Sequence, residues 1–175
     1  MTLENVLIQA VGVLGTVVYF LSFQCKTNKR LFRLQLLSYV FYTLHLFLLG
    51  SSTGAISYVL NLVRSFCLSS DNKFLKSRKM CGILCALQLT TLALTWAGAL
   101  SILPILANIA STVAGYTHNP RTVRRAAMYV NSPLWIIYDI SIGSYAGILD
   151  EVVSVASIVI SLIRYGSKNL DKVEM

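Results

Sequence analysis

The chain has 175 residues, of which 55% are hydrophobic and only 13% are charged, and its mean hydropathy is +0.67. Soluble domains carry about a quarter charged residues, so this composition indicates an integral membrane protein. The formal net charge of +8 raises nucleic acid as a partner, but no glycine- and aromatic-rich RNA-binding motif accompanies the basic residues, and we expect no such partner.

Apolar segments that could cross a bilayer, a distance that takes about 20 helical residues, recur seven times along the chain. They run from Val6 to Gln24, Leu34 to Leu49, Gly54 to Leu68, Met80 to Ala97, Ser101 to Gly115, Ala127 to Ile142 and Gly147 to Ile163. The predicted fold is therefore all-α: a polytopic membrane protein with seven transmembrane helices in a single integral membrane domain, residues 1–175.

The positive charges lie in four clusters that separate pairs of spans. All fifteen Lys and Arg residues belong to them: Lys26, Lys29, Arg30 and Arg33; Arg64, Lys73, Lys76, Arg78 and Lys79; Arg121, Arg124 and Arg125; Arg164, Lys168 and Lys172. Because Lys and Arg accumulate in short cytoplasmic loops, the pattern predicts an outside N-terminus and a cytoplasmic C-terminus. The same loops should attract anionic lipid at the cytoplasmic face of the bilayer.

The four cysteines, Cys25, Cys67, Cys81 and Cys85, all fall at or near the basic ends of spans. Thiols on the cytoplasmic side stay reduced, so we predict no disulfide. Cys81 and Cys85 share a helix face, but no His or Cys pair with metal-ligand spacing accompanies them. The sequence therefore predicts no metal site.

Two parts of the chain repeat each other. Residues 49–55 (LGSSTGA) match residues 142–148 (IGSYAGI) at an offset of 93, and Asn28 matches Asn119 at an offset of 91. Each unit contains three spans, which predicts two parallel repeats, about 5–70 and 101–165, joined by a linker helix at about 80–98 and followed by a cytoplasmic tail, 166–175. Parallel repeats of this kind occur in transporters, with the binding site where the repeats meet.

This three-plus-one-plus-three organisation resembles that of the SWEET and PQ-loop proteins. The Pro-Gln pair of that group is replaced here by Phe23-Gln24 in the first repeat and by Ala114-Gly115 in the second. Transport of sugar is therefore not implied by the resemblance.

A second resemblance rests on three stretches and on the tail Asp171-Lys172-Val173-Glu174. The stretches are Gln35 to Phe66 (QLLSYVFYTLHLFLLGSSTGAISYVLNLVRSF), Leu103 to Val113 (LPILANIASTV) and Leu134 to Arg164 with its Gly-Ser-x-x-Gly turn. In these the chain is similar to the YgjV family of bacterial inner membrane proteins, which implies a multi-pass protein of that membrane and carries no established activity.

Uncharged polar residues near the middle of spans are the candidate binding residues, because polar groups at that depth face a helix interface or a cavity. Asn61 lies in the third span and matches Ser154 in the seventh, and Asn108 lies near the centre of the fifth. The SWEET-like plan implies that an Asn on the third helix of a unit and an aromatic on the second line the cavity, which adds Tyr42 and Trp135. The alternative for Asn61 is a simple interhelical hydrogen bond.

Acidic residues near the outer ends of spans form a second group. Asp139 is either a gating or proton-linked group or a side chain reaching the interface, and we favour the interface. Asp150 and Glu151 are predicted to be mouth residues of an outer vestibule. His45 is predicted to be a packed, hydrogen-bonded residue, with pH coupling as the alternative. Pro133 makes the sixth span the least regular of the seven.

No nucleophile–base triad, paired carboxylates, phosphate-binding loop or dinucleotide motif lies in a suitable frame, so we predict no enzyme activity and no cofactor. The first functional hypothesis is a small transporter or facilitator that holds a small polar solute at mid-membrane between the repeats. The second is a membrane sensor or assembly partner that has the same helix plan but does not transport. The oligomeric state, including a homo-oligomer, is left open by the sequence.

Overall fold

The computed structural model describes residues 3–166, except for the side chain of residue 4. Within that range the chain forms seven helices and no strand, so the all-α prediction is confirmed. The basic residues Lys168 and Lys172, the acids Asp171 and Glu174, and the remainder of the predicted tail after Gly166 lie outside the described residues.

Each predicted span coincides with one helix. The helices are α1 (Leu3–Phe23), α2 (Asn28–Leu48), α3 (Ser52–Ser69), α4 (Arg78–Leu94), α5 (Ile102–Gly115), α6 in two parts (Pro120–Ala126 and Ser132–Ile142) and α7 (Tyr145–Tyr165). A short 3₁₀ turn, Ala99–Ser101, precedes α5. Helices α2 and α6 begin six or seven residues before the predicted spans, because their first turns are basic and were not counted as apolar.

Side-chain caps explain these early beginnings. Thr27 accepts a hydrogen bond from the backbone N–H of Arg30 at the start of α2, at 3.4 Å. Asn119 accepts one from the backbone N–H of Arg121 at the start of α6, at 2.9 Å, and Pro120 occupies the first helical turn. A polar cap satisfies N–H groups that have no partner within the helix, and Pro is tolerated in the first turn because its missing N–H is not needed there.

The matching Gly-Ser turns have the same backbone geometry. Gly50 and Gly143 have φ of +75° and +69°, in the region that favours glycine. The serines that follow have nearly identical dihedrals, with φ −85° and ψ 83° at Ser51 and φ −83° and ψ 80° at Ser144. The local sequence repeat therefore encodes a local structural repeat.

Helix α6 is irregular, as predicted. A π-helical segment, Ala127–Asn131, joins its two parts and ends just before Pro133. Pro133 has no N–H to donate to a carbonyl of the preceding turn, and a widened turn is one way in which a helix accommodates that loss. The Asn131 side chain holds the segment to α5, because its amide donates to the Ala107 carbonyl at 3.2 Å and to the Ser111 hydroxyl at 2.7 Å.

Two buried clusters lie at different levels of the bundle. The basic-end cluster comprises Phe23, Leu31, Phe32, Leu68, Leu84, Tyr116, Val123 and Ile158. The aromatic cluster comprises Tyr39, Tyr42, Leu46, Ala55, Tyr58, Ala107, Trp135 and Tyr138. The first of them joins the final turns of α1, α3 and α5 to the early turns of α2, α4 and α6, so consecutive helices run antiparallel.

The bundle has a polar interior and an apolar exterior. Among the described residues, buried polar side chains outnumber buried hydrophobic ones, while large apolar side chains such as Phe47, Leu94 and Ile163 are strongly exposed. A protein in water would bury its apolar side chains and expose its polar ones, whereas a protein surrounded by lipid exposes apolar side chains, as this one does. Three helical segments are long and apolar enough to cross a membrane, namely Asn5–Phe23, Asn28–Leu48 and Tyr145–Tyr165, and Ala99–Gly115 is a shorter apolar helix. The other membrane crossings stay predictions.

Candidate functional site

Asn61 and Asn108 meet in the middle of the bundle. The Asn61 amide nitrogen donates to the Asn108 amide oxygen at 2.8 Å, and both side chains are buried. The remaining amide oxygen of Asn61 and amide nitrogen of Asn108 have no hydrogen-bond partner among the described residues. The pair therefore joins α3 to α5 and still has one acceptor and one donor for a further group.

The predicted aromatic residues Tyr42 and Trp135 lie on either side of Tyr58. The rings of Tyr42 and Tyr58 are stacked with centroids 5.2 Å apart, and those of Tyr58 and Trp135 are 4.8 Å apart. Sequence reasoning missed Tyr58, although it precedes Asn61 by three residues and so shares its helix face. The three rings form a closed wall between α2, α3 and α6.

Ser154 belongs to a polar face of α7. That face is buried along its whole length and consists of Asp150, Glu151, Ser154, Ser157 and Ser161. Ser154 lies beside the Asp150 carboxyl group, which also faces the Tyr42 hydroxyl. Asn61, by contrast, is bonded to Asn108. The structure thus gives Asn61 a partner other than its repeat equivalent, Ser154.

The acids of the predicted outer mouth are inside the protein. Asp150 and Glu151 are 2% and 3% exposed, respectively, and Asp139 is 3% exposed. Because α7 begins at Tyr145, the first two lie more than a turn into the helix, and they lie on its polar, buried face. Asp139 packs against the start of α7, where a Cβ added to Gly147 would lie only 2.5 Å from its carboxylate. The three carboxyl groups thus lie inside the bundle and not on its surface, and the mouth, gating and interface roles of these acids stay predictions.

His45 is held by two hydrogen bonds. Its Nδ1 lies 2.9 Å from the Ile8 carbonyl oxygen and its Nε2 lies 2.9 Å from the Ser144 hydroxyl. A carbonyl oxygen only accepts, so Nδ1 carries the proton and donates, and in the neutral ring Nε2 accepts from Ser144. His45 is thus a packed, hydrogen-bonded residue, as predicted.

The two matching Gly-Ser turns make equivalent contacts. Ser51 bonds the Tyr138 hydroxyl at 2.8 Å, and Ser144 bonds His45 at 2.9 Å. Ser51 matches Ser144, and His45 matches Tyr138, at the same offset of 93. Each Gly-Ser turn therefore bonds the helix that precedes the other turn, α6 for Ser51 and α2 for Ser144.

We expect the two exchanged contacts to stabilise the fold separately. Tyr138→Phe should lower the free energy of unfolding by about 1 kcal/mol, since it removes one buried hydrogen bond. Ser144→Ala should lower it by about 2 kcal/mol, since it also removes the N-cap bond that Ser144 accepts from the Gly147 N–H at 3.2 Å. Double-mutant cycles in detergent should show coupling within each pair, Ser51 with Tyr138 and Ser144 with His45. Coupling of similar size between Ser51 and Ser144 would contradict the assignment, because those two residues belong to different pairs.

Two arginines of the predicted cytoplasmic clusters are also inside the protein: Arg64 is 3% exposed and Arg124 is 1% exposed. Arg124 donates to backbone carbonyls, among them those of Phe23 at 3.3 Å and Cys25 at 3.0 Å, and so ties α6 to the end of α1. Arg64 donates to the Tyr39 hydroxyl at 3.0 Å. Counting charges along the chain cannot separate these residues from loop residues.

The basic end of the bundle has an open pocket of about 700 Å³. Its charged and polar lining includes Lys29, Lys76, Asp71 and His118. The Lys29 ammonium lies 2.7 Å from the Asp71 carboxylate and holds the pKa of Asp71 below its usual range, although the Asp71 side chain is strongly exposed. The pair is a surface ion pair of small energetic weight.

A family model described as Imp-YgjV, bacterial inner membrane protein, matches residues 6–169. No curated protein and no solved structure matches the chain.

Proposed function

The chain belongs to the Imp-YgjV family of bacterial inner membrane proteins, and we propose that it acts there as a small multi-pass carrier or facilitator of a small polar solute. The solute site lies between the two three-helix units, at the level of the aromatic cluster. Asn61, Asn108, Tyr42, Trp135 and Ser154 line it.

The observation that carries this proposal is the polar interior around the aromatic cluster. Asp150, Glu151 and Arg64 are ionisable and buried in helices whose outer faces are apolar. Charged groups in a membrane interior are costly, and they mark solute or ion pathways more often than they serve packing. The free hydrogen-bonding positions of the Asn61–Asn108 pair supply the recognition groups that such a pathway needs.

The repeat plan supports the location of the site. The matching turns and the exchanged contacts fit two units related by an axis along the membrane normal, with α4 as the linker. We propose that the basic ends face the cytoplasm and the Gly-Ser turns face the outside. The basic-end pocket, with Lys29 and Lys76, is then placed to bind anionic lipid.

Uptake into proteoliposomes tests the solute site. With a panel of small polar metabolites, we expect the wild type to move at least one, and Asn61→Ala to slow that uptake by about tenfold, the equivalent of one lost hydrogen bond to the solute. Gln24→Ala is the control, because its amide also joins two helices, donating to the Ser157 hydroxyl at 2.8 Å, but lies at the basic end. A wild type that moves nothing, or equal uptake by the two variants, would contradict the proposal.

The close packing of the aromatic cluster favours a second candidate function, a sensor or assembly partner. Tyr42 and Trp135 are both 1% exposed and are packed against Tyr58. A sensor or assembly partner has no solute to pass between α2, α3 and α6, so its aromatic cluster would stay packed under all conditions. The same uptake assay separates the two functions, since a sensor of this type moves no solute.

Thiol labelling tests the proposed orientation. Cys25 and Cys81 are partly exposed near the basic end of the bundle. In intact cells an impermeant maleimide should label neither, whereas it should label a cysteine placed at the exposed Ser52 in a cysteine-free background. Permeabilising the inner membrane should make Cys25 and Cys81 reactive. Labelling of either in intact cells would reverse the orientation.

A further inference from the structure

We propose that Arg64 binds a compact monovalent anionic group in a small cavity between the aromatic cluster and the basic-end cluster. The group is either a free halide-sized ion or one carboxylate of a solute. Arg64 follows Asn61 by one helical turn on α3, so the anion site adjoins the Asn61–Asn108 pair, and binding there does not depend on transport.

The guanidinium of Arg64 is only partly satisfied. Its Nη2 donates to the Tyr39 hydroxyl, and its central carbon lies 5.8 Å from the centre of that ring. Its Nε and Nη1 have no hydrogen-bond partner among the described residues. Within the part of the chain that the structure describes, the ion pair within 4.0 Å is that of Lys29 with Asp71, so Arg64 has no carboxylate partner.

Arg64 faces a cavity of about 20 Å³. That volume admits one or two water-sized groups. The polar residues of its lining are Tyr19, Gln35, Tyr39, Arg64 and Ser111, and the others are apolar. No Asp or Glu lies among them, so the only formal charge at the cavity is positive.

A buried cation without a counter-charge is strongly destabilising, and a bound anion removes most of that penalty. Nη2 donates only one of its two hydrogens to Tyr39, so its second N–H and that of Nη1 or Nε can still point at a single centre, which suits a halide or one carboxylate. The basic residues at the near end of the bundle raise the local concentration of anions. The positive charge of Arg64, the small volume of the cavity and the guanidinium donors thus all favour a small monovalent anion.

Arg124 provides a matched comparison within the same protein. It is buried to the same degree, but its guanidinium donates to the carbonyl oxygens of Phe23, Cys25 and Pro120. An arginine used in this way joins helices and needs no ligand. Substitution of Arg124 should therefore change stability without changing the response to anions.

Thermal unfolding of the purified full-length protein in detergent tests the site. Sodium chloride or sodium formate would replace sodium gluconate, which is too bulky for the cavity, with the sodium concentration held constant. We expect the unfolding midpoint of the wild type to rise and then saturate with at least one of these ligands, since a ligand that binds the folded state stabilises it. Saturation by chloride identifies a free ion, and saturation by formate alone identifies a carboxylate.

The variants assign any such response to Arg64. Arg64→Gln should abolish the anion-dependent shift, Arg64→Lys should weaken the apparent affinity by roughly tenfold through loss of the two-pronged geometry, and Arg124→Gln should retain the shift. If Arg64→Gln does not fold, the test is the comparison of Arg64→Lys with the wild type, in which Arg64→Lys should need a higher anion concentration to reach the same shift. No saturable shift in the wild type, or one that Arg64 variants share unchanged, overturns the proposal. Binding without uptake would contradict only the carrier function.

Discussion

Gly147→Ala should destabilise the protein by about 1–3 kcal/mol, the usual cost of overpacking a close interface. The new Cβ would lie 2.5 Å from the Cγ atom of Asp139 and 2.5 and 2.6 Å from its carboxylate oxygens, so one of the two helices must shift. Asp139 has little freedom to move away, because its side chain is short and buried. Equilibrium unfolding in mixed micelles measures the difference.

Gly82→Ala is the control for this substitution. Gly82 lies inside α4, and a Cβ added there meets no atom within 4 Å. Alanine is the better helix former by about 0.5–1 kcal/mol, so this variant should be more stable than the wild type. The same chemical change is thus expected to act with opposite signs at the two positions.

A second substitution identifies the cause of the Gly147 effect. Asp139→Ala removes the carboxylate that the new Cβ would meet, so adding Gly147→Ala to that background should cost little. The resulting coupling energy should be about 0.5–3 kcal/mol. Equal costs in the two backgrounds would show that the Asp139 contact is not the reason for the glycine.

Local features of the chain were predictable from the sequence. The seven helices, the two Gly-Ser turns and the irregular sixth helix follow from hydrophobicity, glycine and proline, which act over a few neighbouring residues. Gly50 and Gly143 show this well, because the same short pattern gives the same left-handed turn at both places. The family resemblance, based on stretches along most of the chain, is confirmed over residues 6–169.

The environment of the polar residues was not predictable in the same way. Sequence position gives the depth of a residue along a helix, but burial depends on which face the other helices cover. Arg64 is five residues from the end of α3 and was therefore grouped with loop charges, and Asp150 is near the start of α7 and was therefore placed at a mouth. The spacing of Asp150, Ser154, Ser157 and Ser161 on one helix face was the available signal of a polar interior.

The interpretation of Asn61 shows a related limit. The match at the offset of 93 identifies Ser154 as its repeat equivalent, yet the hydrogen bond of Asn61 is to Asn108 on α5. Internal symmetry identifies which residues occupy equivalent places, but it does not bring equivalent residues into contact. The exchanged contacts of Ser51 and Ser144 follow the symmetry differently, because each crosses to a non-equivalent residue of the other unit.

Neutralising the two acids of α7 should produce the largest effect on function. We expect Asp150→Asn and Glu151→Gln each to slow solute uptake by about a hundredfold, because a carboxyl group in the membrane interior contributes through its charge or its proton. Both substitutions preserve the shape of the side chain, so the loss would not come from packing. Ser161→Ala is the control, since Ser161 is buried on the same face nearer the basic end and should retain uptake.

Stability measurements on the same variants separate a functional role from a structural one. One Asp150 carboxyl oxygen has no hydrogen-bond partner among the described residues, so the amide replaces a poorly solvated acid. Replacing a buried carboxyl group that lacks a full set of hydrogen-bond partners usually leaves a fold as stable or makes it more stable. Functional sites often contain groups that make the fold less stable. If Asp150 and Glu151 are such groups, the free energy of unfolding of the two variants should stay the same or rise while their uptake falls. If stability and uptake fall together, the acids support the fold, and if stability rises with uptake unchanged, the solute path does not include them.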